Sequence, residues 1–92
     1  MSQEAEVERA FTVRAELGLH ARPAGQFVAL AGRFSSEITV GRGDEWVSGC
    51  SILSILSLAA EHGSTLKIRA VGTDAEQAVS ELGLLLEAGG QN

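Results

Sequence analysis

Gly18-Leu19-His20-Ala21-Arg22-Pro23-Ala24-Gly25-Gln26-Phe27-Val28-Ala29-Leu30-Ala31 carries the chain from an extended pattern into a helical one. Pro23 fits a helix only in its first turn, where amides have no intrahelical partner, so a helix starts close to position 20. Ala24, Phe27, Val28 and Ala31 then fall at i, i+3, i+4 and i+7, one face of that helix. Gly32 supplies a stop. His20 stands just before the helix, and Arg22 follows two residues on.

On the N-terminal side, Val7, Phe11, Val13 and Ala15 are apolar, with Glu8, Thr12 and Arg14 between them. Arg9 and Ala10 break the alternation, yet a half-buried strand from Val7 to Ala15 is the reading. Ser2 to Glu6 are polar, and the first six residues are expected to fray. Glu16 to Leu19 form a loop in which Gly18 permits a tight path.

On the C-terminal side, Ile38 and Val40 mark a second strand. Gly41-Arg42-Gly43-Asp44 is turn chemistry, and Trp46-Val47 begins the return strand of a hairpin. Ser51 precedes Ile52, Leu53, Ile55, Leu56, Leu58 and Ala59, a run too apolar for one face of a surface helix. It reads as a short helix capped by Ser51 and stopped near Gly63, with some apolar side chains left exposed.

Leu66, Ile68 and Ala70 alternate with Lys67 and Arg69 in a fourth strand. The last helix has two legal capping pairs, Asp74 with Gln77 or Thr73 with Glu76. Its stripe is Ala75, Ala78, Val79, Leu82, Leu85 and Leu86, and Gly89-Gly90 end it. The order is β-α-β-β-α-β-α, an α+β fold. Three helices that each bury one face imply a four-stranded antiparallel sheet covered on one side, with residues 1–92 as one domain.

The bulk composition narrows the function classes. Seven Lys and Arg against twelve Asp and Glu give a net charge of −5, and no basic cluster is present, so nucleic acid is not expected as a partner. No stretch nears the roughly 20 apolar residues of a membrane span, and no signal-peptide pattern opens the chain. Cys50 is the only cysteine, which excludes an internal disulfide and suits a reducing cytoplasm. A cytoplasmic protein without membrane insertion is expected.

The chemistry concentrates at His20. The N–H groups of Ala21 and Arg22 lie close to its ring, and the helix dipole and the Arg22 guanidinium both favour an anion. A nucleophilic ring nitrogen beside a small anion cradle is what a transient phosphohistidine requires. The plain alternative is a loop histidine capping a helix; the adjoining glycine, arginine and proline weigh against it. Pro23 is structural. Ser51 is a good N-cap in its own right, and a phosphate there would meet a favourable helix N-terminus. Ile52, Leu53 and Leu56 divide between core and an exposed contact patch.

Other residues carry less. His62 is expected at a helix C-terminus, and two distant histidines with one cysteine make no metal site. Cys50 has no neighbouring base, and Gly41-Arg42-Gly43 is too short for a nucleotide fingerprint. No cofactor is expected.

Gly18-Leu19-His20-Ala21-Arg22-Pro23-Ala24 resembles the active-site motif of HPr, the histidine-containing phosphocarrier family of the bacterial sugar phosphotransferase system. Ser51-Ile52-Leu53 and the apolar run to Leu58 resemble the family's regulatory-serine segment. The element order and the His20–Ser51 spacing agree, and the likeness runs from about Val7 to the final helix. It implies an open-faced β-sandwich and a monomeric shuttle rather than an enzyme. His20, through Nδ1, would accept a phosphoryl group from enzyme I and pass it to a IIA-type component, with Ala21 and Arg22 steadying the phosphate. Ser51 would be the target of an HPr kinase, and Ile52, Leu53 and Leu56 would dock partners.

The chain departs from many members of that family at Cys50, where lysine is common, and at Ser54 and Ala59, where glycine is common. Lys67 is its only lysine. Three other readings stand beside the sugar-branch carrier. One is the family's nitrogen-branch regulatory relative; a second is an interaction module of the same fold that is never phosphorylated. The most distant is a small-ligand regulatory domain, for which the sequence supplies no convergent polar set.

Overall fold

Leu66, Ile68, Ala70 and Gly72 are buried while Lys67, Arg69 and Val71 between them are half-buried, so Thr65–Gly72 is a strand with one face in the core. In the computed structural model, which describes residues 5–88, this is β4 in the order β1 (Ala5–Thr12), α1 (Ala21–Ala31), β2 (Glu37–Arg42), β3 (Glu45–Ser48), α2 (Ile52–Ser57), β4 and α3 (Ala75–Ala88). The strands form one antiparallel sheet in the order β1-β4-β2-β3. Glu6 faces Val71 and Thr12 faces Thr65, while Ile38 faces Ala70 and Val40 faces Ile68. A two-residue turn, Gly43-Asp44, joins β2 to β3.

The helices cover one face of this sheet, as the α+β reading expects. Phe27 and Ala24 of α1, Ile55 of α2, and Val79 and Leu82 of α3 meet Ile38, Val40, Leu66 and Ile68 in one aliphatic core. The other face is open. There the Lys67 ammonium sits 5.3 Å from the centre of the Trp46 ring.

The first strand differs from its sequence reading at both ends. It already includes Ala5 and Glu6, so the expected fraying does not reach them; Glu6 accepts from Arg69 Nε at 2.8 Å. The remainder of that expectation, like the Gly89-Gly90 stop, lies outside the described residues. The strand ends at Thr12 rather than Ala15. Val13 leaves the ladder to bond Ser64 O at 2.8 Å, and both Val13 and Ala15 stay buried in the irregular segment beyond.

Arg9 breaks the apolar pattern because it faces α3 at the sheet edge, where its guanidinium reaches the Glu76 carboxylate and Ser80 Oγ. Two residues on, Phe11 packs where a Cβ on Gly83 would stand 2.1 Å from its ring, so only glycine lets α3 approach β1 this closely.

Two helix ends also depart from expectation. Helix α2 stops at Ser57, well before Gly63, because Ala59 turns into the left-handed region with φ 51°. His62 is therefore not at a helix terminus; it lies in an exposed turn five positions past the helix end. At α3 neither capping box forms as read. Asp74 O accepts the Ala78 amide at 2.9 Å, which makes Asp74 the residue before the helix. Its carboxylate, however, accepts from the Ser35 and Ser36 amides at 2.8 and 2.9 Å and from both serine hydroxyls. Gln77 instead donates to Glu81. These donors, the Ser36 hydroxyl foremost and then the Ser35 amide, hold the Asp74 carboxyl below its ordinary value.

Candidate functional site

The segment before α1 is sewn to the rest of the chain by its backbone. Leu19 donates to Ala60 O at 2.8 Å, and its side chain is buried in the core. Gly18 has φ 78°, and a Cβ there would stand 2.6 Å from Ala60 O, so the path needs a residue without a side chain. His20 N donates to Gly18 O at 2.9 Å, which completes a tight bend directly before the helix.

His20 is the N-cap of α1, with φ −84° and ψ −169°, and its side chain makes no capping hydrogen bond. The imidazole is partly exposed and remains available. The first amide to close the helix is that of Ala24, which donates to His20 O at 2.9 Å. Pro23 has no N–H, so Ala21 and Arg22 present the first-turn amides ahead of that bond. Both are exposed, and no first-turn residue is acidic. The ion pairs among the described residues involve Arg9 and Arg69, which leaves Arg22 unengaged by any described carboxylate. A helix N-terminus with two open amides, a guanidinium and an imidazole can hold a small anion against a ring nitrogen.

The second segment is α2. Ser51 is its N-cap, and Ser51 Oγ accepts from Ser54 N at 3.2 Å, the capping role expected of it. Ile52 is 39% and Leu53 77% exposed, whereas Ile55 is fully buried and Leu56 is half-buried against the core. The apolar excess therefore divides: Ile52 and Leu53 face outward, and Leu56 straddles the boundary. Ile52 also touches α1, with its Cδ1 3.7 Å from where a Cβ on Gly25 would stand. The structure thus sets the Ile52 side chain against the helix that carries His20 at its start.

Leu17 is 79% exposed three residues before His20. The sequence signal for it is an apolar residue in a loop between Glu16 and Gly18, and sequence reading passes over it. Cys50 is exposed and its thiol is free. Among the described residues no group of His, Cys, Asp and Glu could hold a metal ion. No helix among the described residues is long and apolar enough to cross a membrane.

Residues 7–88 match the family described as the PTS HPr component phosphorylation site. A phosphocarrier protein HPr of Haloferax volcanii is 41% identical over 78 residues, covering 83% of this chain and 88% of its own length. A phosphocarrier protein NPr of Shewanella violacea is 37% identical over 82 residues, covering 89% of this chain and 90% of its own. Among solved structures, a phosphocarrier protein HPr from Bacillus anthracis superposes with a TM-score of 0.86 at 38% identity, over 89% of this chain and 98% of that one.

Proposed function

The chain belongs to the HPr family, phosphocarriers of the phosphotransferase system, and we propose that the atom on which it carries the phosphoryl group is Nδ1 of His20. The observation that carries this reading is the idle N-cap: a histidine that caps nothing, beside two amides ahead of the first helical bond. The ring lone pair attacks phosphorus on the phosphohistidine of enzyme I, the new P–N bond forms, and the donor imidazole leaves. Attack by an imidazole of a IIA-type component reverses the step and restores His20.

A histidine phosphoramidate keeps its transfer potential, which a serine ester would largely lose. The cradle is light for the same reason. Strong stabilisation of the loaded state would slow release, since only interactions strengthened in the transition state speed transfer. Arg22 fills the role of steadying charge as it spreads over the moving phosphoryl oxygens.

Ile52, Leu53 and the exposed part of Leu56 form the docking surface for enzyme I and the IIA component. Phosphorylation of Ser51 by an HPr kinase places charge beside that surface and lowers acceptance at His20. The protein works as a cytoplasmic monomer in the sugar branch. The similarity to an NPr favours the nitrogen branch as the second reading. Phosphorylation with phosphoenolpyruvate and each class of enzyme I in turn decides between them: faster loading by the sugar-branch enzyme is expected, and preference for the nitrogen-branch enzyme reverses the assignment. An interaction module of the same fold would take phosphate from neither.

A further inference from the structure

Arg42, the last residue of β2, donates from Nη1 to two carbonyls that follow α2, Leu58 O at 2.9 Å and Ala59 O at 2.8 Å. Carbonyls at a helix end lack intrahelical partners, and a guanidinium is a strong charge-assisted donor for them. The second of these acceptors, Ala59, makes the one left-handed turn at a non-glycine position among the described residues, with φ 51°. A residue with a Cβ is disfavoured in that region, and such a turn persists only where its surroundings hold it.

The very next carbonyl is Ala60 O, which accepts the Leu19 amide at 2.8 Å and against which Gly18 is packed. His20 N is bonded to Gly18 O at 2.9 Å. The contacts therefore run without a gap from Arg42 through Leu58 and Ala59 to Ala60, and from Ala60 through Leu19 and Gly18 to His20.

We propose that Arg42 is a positioning residue for His20: its two hydrogen bonds hold the strained Ala59 turn, and that turn presents Ala60 O to fix the bend that places the imidazole. The inference rests on His20 being the phosphoryl acceptor. In-line transfer between two histidines depends on close approach of the reacting atoms, and a displacement of about 1 Å can slow such a step by up to about 100-fold. Arg42 has no part in contacting the phosphate. It acts through the loop.

The test is a double-mutant cycle in the full chain with Arg42→Ala, Ala59→Gly and the pair together. Two readouts are taken, amide hydrogen exchange at Leu19 and the rate of phosphoryl acceptance from phosphorylated enzyme I. Arg42→Ala is expected to speed Leu19 exchange by about tenfold and to slow acceptance by about tenfold. Glycine adopts the left-handed turn without strain, so in the double mutant both values return to within about threefold of Ala59→Gly alone. Arg42→Lys, which keeps a cationic donor, falls between parent and Arg42→Ala.

A general loss of stability would not be rescued selectively at Leu19 and at the transfer step by one glycine. Unchanged Leu19 exchange in Arg42→Ala overturns the proposal, and so does a double mutant as impaired as Arg42→Ala. A parent protein that takes no phosphoryl group sinks the His20 assignment itself. A parent that loads normally while Arg42→Ala leaves exchange and rate untouched sinks the clamp alone.

Discussion

At the start of α2 the Ser51 hydroxyl accepts the Ser54 amide at 3.2 Å; at the start of α1 His20 holds the same place, also in extended backbone, and its side chain caps nothing. Both positions face a helix N-terminus with amides that need acceptors. One helix satisfies part of that need with its own hydroxyl, and the other leaves it unmet by its N-cap side chain. If His20 is the phosphoryl acceptor, the same helix position holds a residue kept for stability in one case and one kept for transfer in the other.

The contrast breaks first, if it breaks, at His20. Replacing it with alanine is expected to reduce phosphoryl acceptance by about 1,000-fold or more, because the nucleophile itself is gone. The melting temperature is expected to stay within about 3 °C, since no capping bond is lost. A variant that melts far lower would mean that the imidazole is structural after all.

Arg22→Ala comes next. With its guanidinium exposed and unengaged by described carboxylates, its removal is expected to slow transfer by about 10- to 100-fold and to leave thermal unfolding unchanged. Stopped-flow transfer from enzyme I alongside calorimetry separates the two effects.

Ser51→Ala sharpens the comparison from the other side. Loss of the cap costs about 1 kcal/mol, a fall of about 4–8 °C in melting temperature for a domain of this size, with acceptance at His20 kept within about twofold. The same alanine change is therefore expected to move stability at one N-cap and transfer at the other.

The smallest effect belongs to the third helix start. The Asp74 carboxyl is held below its ordinary value of 3.8 by its serine donors, so its contribution to stability is complete above that value. It is lost as pH falls through the lower folded value. Asp74→Asn is expected to flatten the acid limb of the stability curve below about pH 4 while transfer near neutrality is unaffected. Urea titrations stepped downward in pH measure this.

Much of this arrangement was legible in the residues. β4 announces itself because Leu66, Ile68 and Ala70 sit on one buried face, and α3 because its stripe keeps a helical period. His20, Ala21 and Arg22 fall at the helix start where Pro23 puts it. What was not legible depends on partners far along the chain. The end of α2 is set at Ala59 with Arg42, 17 positions earlier, bonding its carbonyl. Asp74 is drawn from its capping box to Ser35 and Ser36, and Arg9 is welcome on the inner face only because Glu76 and Ser80 stand over the sheet edge. Local periodicity cannot register such contacts. The division of Ile52 and Leu53 from Ile55 is likewise a matter of which way a six-residue helix lies on α1.

The most direct test is to load the protein with phosphoenolpyruvate and enzyme I and to locate the phosphate by mass spectrometry and ³¹P NMR at neutral or alkaline pH. One phosphoryl group on His20, stable in alkali and lost in acid, is the expected result. An acid-stable phosphate on another residue, or a protein that takes none while its fold is intact, would contradict the central claim.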